Sequence, residues 1–189
     1  TFSENVASDE GGAIYSYDQP SPAIENSTIV SNTAGTAGGG IWSYYELTLQ
    51  NSIVAGNIVS GSLLHSLSDC YIDEEFFSLG NNVLGEGTGC EATRYDLTIS
   101  NTLVAANLIL PLADNGGVLL PDGTHLNTHA LRSGSAAIDA ANDDFCDVVD
   151  GRGFDRPAGN ACDIGAFESS YAETPHIFFD NNITVTTSS

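Results

Sequence analysis

Apolar residues recur at every second position in short runs, and the runs are broken by Asn and Gly. Three ungapped segments carry the pattern. Residues 22–32 read PAIENSTIVSN, residues 47–57 read LTLQNSIVAGN and residues 97–107 read LTISNTLVAAN. Ile24, Leu49 and Ile99 fall at one position, and Ile29, Val54 and Val104 at another, which Phe2 joins. Two polar positions are fixed, Asn26, Asn51 and Asn101 at the first and Asn32, Asn57 and Asn107 at the second. A period of two argues for strands rather than helices. Gly corners follow, with Gly11-Gly12 after Asn5 and Gly38-Gly39-Gly40 after Asn32; in each case an Ile stands nine residues beyond the Asn. Asn5 to Asn32 is 27 residues, Asn32 to Asn57 is 25, and Asn57 to Asn107 is 50.

A period in the twenties, with short strands and Asn/Gly corners, predicts a parallel β-helix. Each turn adds about 4.8 Å of rise, the spacing between paired strands. The crossover rule makes it right-handed. The aliphatic positions are expected to stack inside. The six Asn are expected to form ladders that bond backbone groups at the corners, and the Gly pairs to supply positive φ. The expected organisation is coils over 1–110, with a disulfide-bracketed insertion at about 58–96, an irregular cap module over 111–168, and a linker with a C-terminal strand segment over 169–189.

Charge then narrows the function. The 189-residue chain carries 25 acidic residues against 4 basic ones, Arg94, Arg132, Arg152 and Arg156, for a formal net charge of −21. Nucleic acid is excluded as a partner, because no basic stripe exists to replace its counterions. Anionic membrane surfaces are disfavoured for the same reason. No apolar run approaches the length of a membrane span, so no direct membrane insertion is expected. Hydrophobic residues make up 41%, too many for a disordered acidic tail. The chain has no Met, which reads as a processed or excised piece from which any signal segment has been removed.

Two families share these strings. Phe2-Ser3-Glu4-Asn5 and Gly11-Gly12-Ala13-Ile14 resemble the FxxN and GGA[ILV] repeats of polymorphic outer-membrane adhesins. The rest is similar to the choice-of-anchor Q domain of bacterial secreted β-helix proteins. The motifs in order are Asp69-Cys70, SLGNNVLG at 78–85, Gly89-Cys90, LADNGG at 112–117, THAL at 128–131, GSAAIDA at 134–140, DGRG at 150–153, Arg156-Pro157 and ACDIGAFE at 161–168. The match covers about residues 1–168, and departs at Ala136 and at 118–127. The resemblance implies a right-handed β-helix on a bacterial surface or outside the cell. The expected role is structural or adhesive, and a surface glycan or host protein is the expected partner.

Four Cys in such a chain suggest two disulfides. Cys70–Cys90 and Cys146–Cys162 are favoured among the three pairings, since each brackets one local Gly/Asp-rich excursion. Arg152 and Arg156 lie among many carboxylates. Asp143, Asp144, Asp147 and Asp150 either pair with them or hold Ca²⁺ as hard-oxygen ligands. His65, His125, His129 and His176 are too scattered for a zinc site. No cofactor is otherwise expected.

β-Helices include polysaccharide lyases and hydrolases. The repeats here place Asn, Ser and Thr at equivalent sites where a hydrolase needs paired carboxylates, and the coils contain one Arg, Arg94. The expectation is a non-enzyme, with a carbohydrate-active enzyme or glycan-binding module as the alternative. Tyr15, Tyr17, Trp42, Tyr44 and Tyr45 follow the Gly corners of adjacent coils and are expected to form a ladder, either packed away or open to sugars. The first coil starts at Phe2 with an open edge. The runs at 176–179 and 183–187 are β-prone, so the chain is expected to self-associate into filaments or to stack on further coils of a longer chain.

Overall fold

The structure, a computed structural model, describes residues 1–61, 69–85 and 89–170. It is an all-β parallel β-helix. The strands are β1 (Phe2–Ser3), β2 (Ile14–Ser16), β3 (Ala23–Glu25), β4 (Thr28–Val30), β5 (Thr33–Ala34), β6 (Ile41–Ser43), β7 (Leu47–Gln50), β8 (Ile53–Ala55), β9 (Ile58–Val59), β10 (Cys70–Ile72), β11 (Phe76–Ser78), β12 (Val83–Gly85) and β13 (Leu97–Ile99). They stack into a first sheet β1-β4-β8-β12-β13, a second β5-β9, a third β10-β6-β2 and a fourth β11-β7-β3. Every pairing among them is parallel.

Register follows the apolar pattern. Phe2 pairs with Ile29, Ile29 with Val54 and Val54 with Leu84, while Ile24 pairs with Leu49. Ile24, Ile29, Ile41, Leu47, Leu49, Val54 and Leu84 form one buried cluster, the inside of the coils. The alternation of two puts one side chain in and the next out.

The third repeat sits differently from its sequence alignment. Leu97 pairs with Val83 and Ile99 with Gly85, so β13 belongs to the first sheet. Ile99 therefore does not stack on Leu49, nor Val104 on Val54. Only residues 86–96 separate β12 from β13, too few to visit the other three sheets, so the chain returns to the first one. Beyond β13 it leaves the coil through a 3-10 turn at Asn101–Leu103 and a π turn at Val104–Leu108. Asn107 is exposed there and extends no ladder. The stretch expected to be an insertion, about 58–96, carries β9, β10, β11 and β12 in register with the coil before it.

The first sheet is covered on its outer face as well. Val30, Ile53, Ala55 and Val83 point away from the coil interior and pack with Leu108, Ile109, Leu131, Ala137, Ile164 and Phe167 of the C-terminal module. A sheet buried on both faces needs near-continuous apolar strands, and Thr-Ile-Val, Ile-Val-Ala and Val-Leu-Gly supply them. The module expected to cap the end of the stack thus lies along its flank. Gly165 shows how closely, for its φ is 101° and a Cβ there would meet Thr28 Oγ1 at 2.7 Å and Ile53 Cδ1 at 2.9 Å. Among the side chains only glycine's hydrogen both fits the gap and tolerates that φ.

Candidate functional site

Two polar ladders run up the coil interior. Asn5 Nδ2 donates to Asn32 Oδ1 (2.8 Å), Asn32 Nδ2 to Asn57 Oδ1 (2.9 Å) and Asn57 Nδ2 to Asp69 Oδ1 (2.8 Å). Asn101 Nδ2 closes on Asp69 Oδ2 at 2.9 Å. Asp69 and Asn32 are wholly buried, and Asn57 nearly so. The second ladder runs at the next corner, where Ser27 N donates to Ser52 Oγ, Ser52 N to Asn82 Oδ1 and Asn82 Nδ2 to Asp96 Oδ1 (3.0 Å). Each ladder thus meets an Asp, which accepts at both oxygens where an Asn would carry a donor at one of them. Burial acts to raise the Asp96 pKa, but hydrogen bonds from Ser78, Thr93 and Asn82 overcome it and hold the carboxyl below its ordinary range. Neither Asp69 nor Asp96 stands in the Asn repeat. The signal for Asp96 was the string Asp96-Leu97, which matches Asn82-Val83 once β13 is placed in the first sheet.

Asn26 and Asn51 make a different set of contacts. They and Asn81 occupy left-handed corners, with φ of 45°, 48° and 55°, a region Asn tolerates better than most residues. Their side chains reach outward to the C-terminal module. Asn26 Nδ2 donates to Phe145 O (3.0 Å), Asn51 Nδ2 to Asn142 O (3.0 Å) and Asn81 Nδ2 to Ala140 O (2.9 Å). Three successive coils therefore grip one strip of the module. Both disulfides join the predicted pairs, with Cα–Cα distances of 5.3 Å for Cys70–Cys90 and 6.4 Å for Cys146–Cys162.

The four Asp proposed for Ca²⁺ do not converge. Asp143 accepts from Cys162 N, and Asp147 from Asn26 Nδ2. Asp144 is exposed. Asp150 is buried and accepts from Arg152 Nε, Phe154 N and Glu168 N. Among the described residues no group of three or more His, Cys, Asp or Glu side chains is placed to hold a metal ion. What gathers instead is a buried ionic knot. Arg152 pairs with Asp150 at 2.6 Å and lies over the Phe167 ring at 3.6 Å; Arg156 Nε stands 3.6 Å from Glu168 Oε2. Burial raises the pKa of Asp163 and of Glu168 and lowers that of Arg156. His129 Nδ1 donates to Leu110 O (2.7 Å) and its Nε2 is hydrogen-bonded to Ser3 Oγ (2.8 Å), which ties the module to the first coil. His65 and His176 lie outside the described residues.

The open chemistry is on the third sheet, away from the module's apolar contacts. Tyr15, Trp42 and Tyr71 are register partners on β2, β6 and β10. Their rings stack with centroids 4.6 and 6.1 Å apart and planes within 11° and 7°. Tyr17 and Tyr44 continue the face beside them, 5.2 Å apart, and Tyr45 meets Tyr44 edge-on. Tyr15 and Tyr17 are each 55% exposed and Tyr44 37%, whereas Trp42 is buried beneath them. Stacking covers the inner ring faces, so the rims and the outer face of Tyr15, on edge strand β2, remain open. Partial desolvation first, then the charges of Glu10, Tyr17, Asp9 and Asp18, hold the Tyr15 phenol above its ordinary pKa. The face is aromatic with an acidic border. Tyr71 completes the stack from β10, inside the stretch expected to be an insertion, and no Gly corner precedes it to mark it in the sequence.

Residues 1–17, the first turn up to Tyr17, match the Chlamydia polymorphic membrane protein repeat. That similarity suggests an adhesin-like protein of the bacterial outer surface. No curated protein and no solved structure matches the chain. Among the described residues no helix is long and apolar enough to cross a membrane.

Proposed function

We propose that the chain is an adhesive β-helix module of a bacterial surface, whose C-terminal half is a choice-of-anchor Q-like flank and whose working face is the aromatic strip of the third sheet. The strip carries the reading. Aromatic rings stacked over three coils, with three tyrosines well exposed, form an amphipathic contact surface on a rigid support. Exposed aromatic clusters of this kind mark interaction sites. The flank is closed by the module, so the two sides of the coil differ: one holds the protein together and the other meets a surface glycan or host protein.

The test replaces Tyr15, Tyr17 and Tyr44 together by Ala and measures attachment of protein-coated beads to epithelial cells and to a glycan array. Melting and circular dichroism should hold, because all three side chains lie outside the interior. Attachment should fall at least about tenfold, the loss of roughly 1.4 kcal/mol. Unchanged attachment by a folded triple variant refutes the assignment of this face.

A further inference from the structure

The column of rings on the third sheet leaves little room for a sugar. Trp42 lies between Tyr15 and Tyr71, with centroids 4.6 and 6.1 Å away and planes within 11° and 7°. A sugar ring packs on an open aromatic face, and these faces are turned to one another. What stays open are the rims of Tyr15, Tyr17 and Tyr44. A rim suits an aliphatic stem that lies along it and carries a polar head beyond.

Carboxylates stand where such a head would arrive. They occupy the corner that follows each aromatic strand. Tyr17, Tyr44 and Asp73 form one row there, since Tyr44 N donates to Ser16 O and Asp73 N to Ser43 O, both at 2.9 Å. Asp18, Tyr45 and Glu74 come next in the chain. Glu46 and Glu75 directly precede the register partners Leu47 and Phe76, and Leu47 N donates to Glu75 O (3.0 Å). The charges of Glu10, Asp9 and Asp18 reach Tyr15 itself.

No cation of the chain answers this row. Residues 1–93 contain no Lys or Arg. The ion pairs among the described residues, His125–Asp114, Arg152–Asp150 and Arg156–Glu168, all lie in the C-terminal module. Asp18, Glu46, Glu74 and Glu75 are exposed. Glu46 and Glu75 sit one coil apart, about 4.8 Å in backbone spacing, and like charges opposite each other on paired strands are destabilising. A cation laid across the row relieves that repulsion, whereas a sialylated or sulfated glycan adds to it.

We infer that the strip takes a basic protein segment, with the stems of Arg or Lys side chains along the tyrosine rims and their charged heads on Asp18, Glu46, Glu74 and Glu75. The inference rests on the strip being the contact face and adds the class of its partner. Arg fits better than Lys, because its planar, weakly hydrated head meets carboxylates in pairs and packs against aromatic rings. Tyr and Arg are also enriched where protein surfaces meet. Attraction to a coil without positive charge speeds the encounter and weakens in salt.

The probes are an alternating Arg-Ser peptide and the same peptide with citrulline in place of Arg. Their affinity is measured for the parent and for two variants that lose equal charge. One carries Asp18→Asn, Glu46→Gln and Glu74→Gln on the strip, the other Asp122→Asn, Asp144→Asn and Asp155→Asn on the module. All six side chains are exposed, so both should fold. The Arg peptide should bind the parent and the citrulline peptide should not. The strip variant should lose about tenfold in affinity, the worth of three surface ion pairs. The module variant should lose less than about threefold, since distant charges are screened. Attachment of coated beads to epithelial cells should fall with the strip variant as well. No binding of the Arg peptide to the parent, equal losses in the two variants, or equal binding of the citrulline peptide overturns the inference. If the strip variant keeps its attachment while the Tyr15, Tyr17 and Tyr44 triple variant loses it, the strip is still the contact face and its partner is not a basic segment. If neither loses attachment, the face itself is wrongly assigned.

Discussion

Asn57→Leu should be among the most damaging single substitutions in the coil. The side chain is 2% exposed. Its Oδ1 accepts from Asn32 N (3.0 Å) and Asn32 Nδ2 (2.9 Å), and its Nδ2 donates to Ile29 O (3.0 Å) and Asp69 Oδ1 (2.8 Å). Leucine has similar bulk and none of these groups. Asn32 Nδ2 keeps Phe2 O and Val30 O as acceptors, and Asp69 Oδ1 keeps the Asn57 backbone N. Asn32 N and Ile29 O lose these side-chain partners in a wholly buried place. An unsatisfied buried polar group costs about 1–3 kcal/mol, so two give roughly 2–6 kcal/mol, a large part of the 5–15 kcal/mol by which a typical domain is stable. For a chain of this size that lowers Tm by roughly 4–24 °C. Asn107→Leu is the control. The two residues are equivalent in the sequence repeat, but Asn107 is exposed, so its replacement should change stability by less than about 0.5 kcal/mol. Urea unfolding followed by circular dichroism reads both. If Asn57→Leu unfolds within about 1 kcal/mol of the parent, or if Asn107→Leu costs as much, the ladder does not support the coil as described.

Val54→Asp should abolish folding, since the position is fully buried among Ile29, Leu84 and Leu49 and offers a carboxylate no partner; unchanged melting would put this column in solvent. Gly165→Val should pry the module from the first sheet, raising binding of a hydrophobic dye well before the coil unfolds, and a dye signal like the parent's would contradict the flank packing. Replacing Cys146 and Cys162 by Ser should cost roughly 3 kcal/mol, from a 16-residue separation in the chain-entropy model, as read by the urea midpoint. The Asp96 carboxyl titrates lower when folded than unfolded, so its stabilisation is present above the unfolded value and is lost as pH falls through the folded one. The gap in stability between the parent and Asp96→Asn should therefore shrink below about pH 4. That paired comparison is needed because Asp163 and Glu168, raised by burial, gain stability over the same acid range.

The sequence determined the coil. Period-two apolar runs at spacings in the twenties require strands that stack in parallel, and Phe2, Ile29 and Val54 are in register because a one-residue slip would turn every one of them outward. The Asn5–Asn32–Asn57 ladder followed from the same repeat, as did the aromatic strip after the Gly corners. The two disulfides were legible because each pair of Cys is local. These features depend on neighbours one coil away, and the repeat writes those neighbours into the chain.

Tertiary structure decided what crosses between the coil and the module. Asn26 and Asn51 look like ladder residues, yet they reach out to Asn142 and Phe145, more than ninety residues away in sequence. Their left-handed corner could be read from the string, but the carbonyls they meet could not. Val30, Ile53 and Val83 are apolar on the side an isolated coil would expose, and only the module lying along the flank explains them. Asp69 and Asp96 joined the ladders by position in space, through β10 and β13, without sharing the repeat's spacing. The Asp150–Arg152 and Arg156–Glu168 contacts turned the acidic cluster into a buried knot, because desolvated carboxylates favour the nearest guanidinium and amide donors. A repeat fixes contacts at constant sequence separation, and contacts between a repeat and an irregular segment have no such period to read.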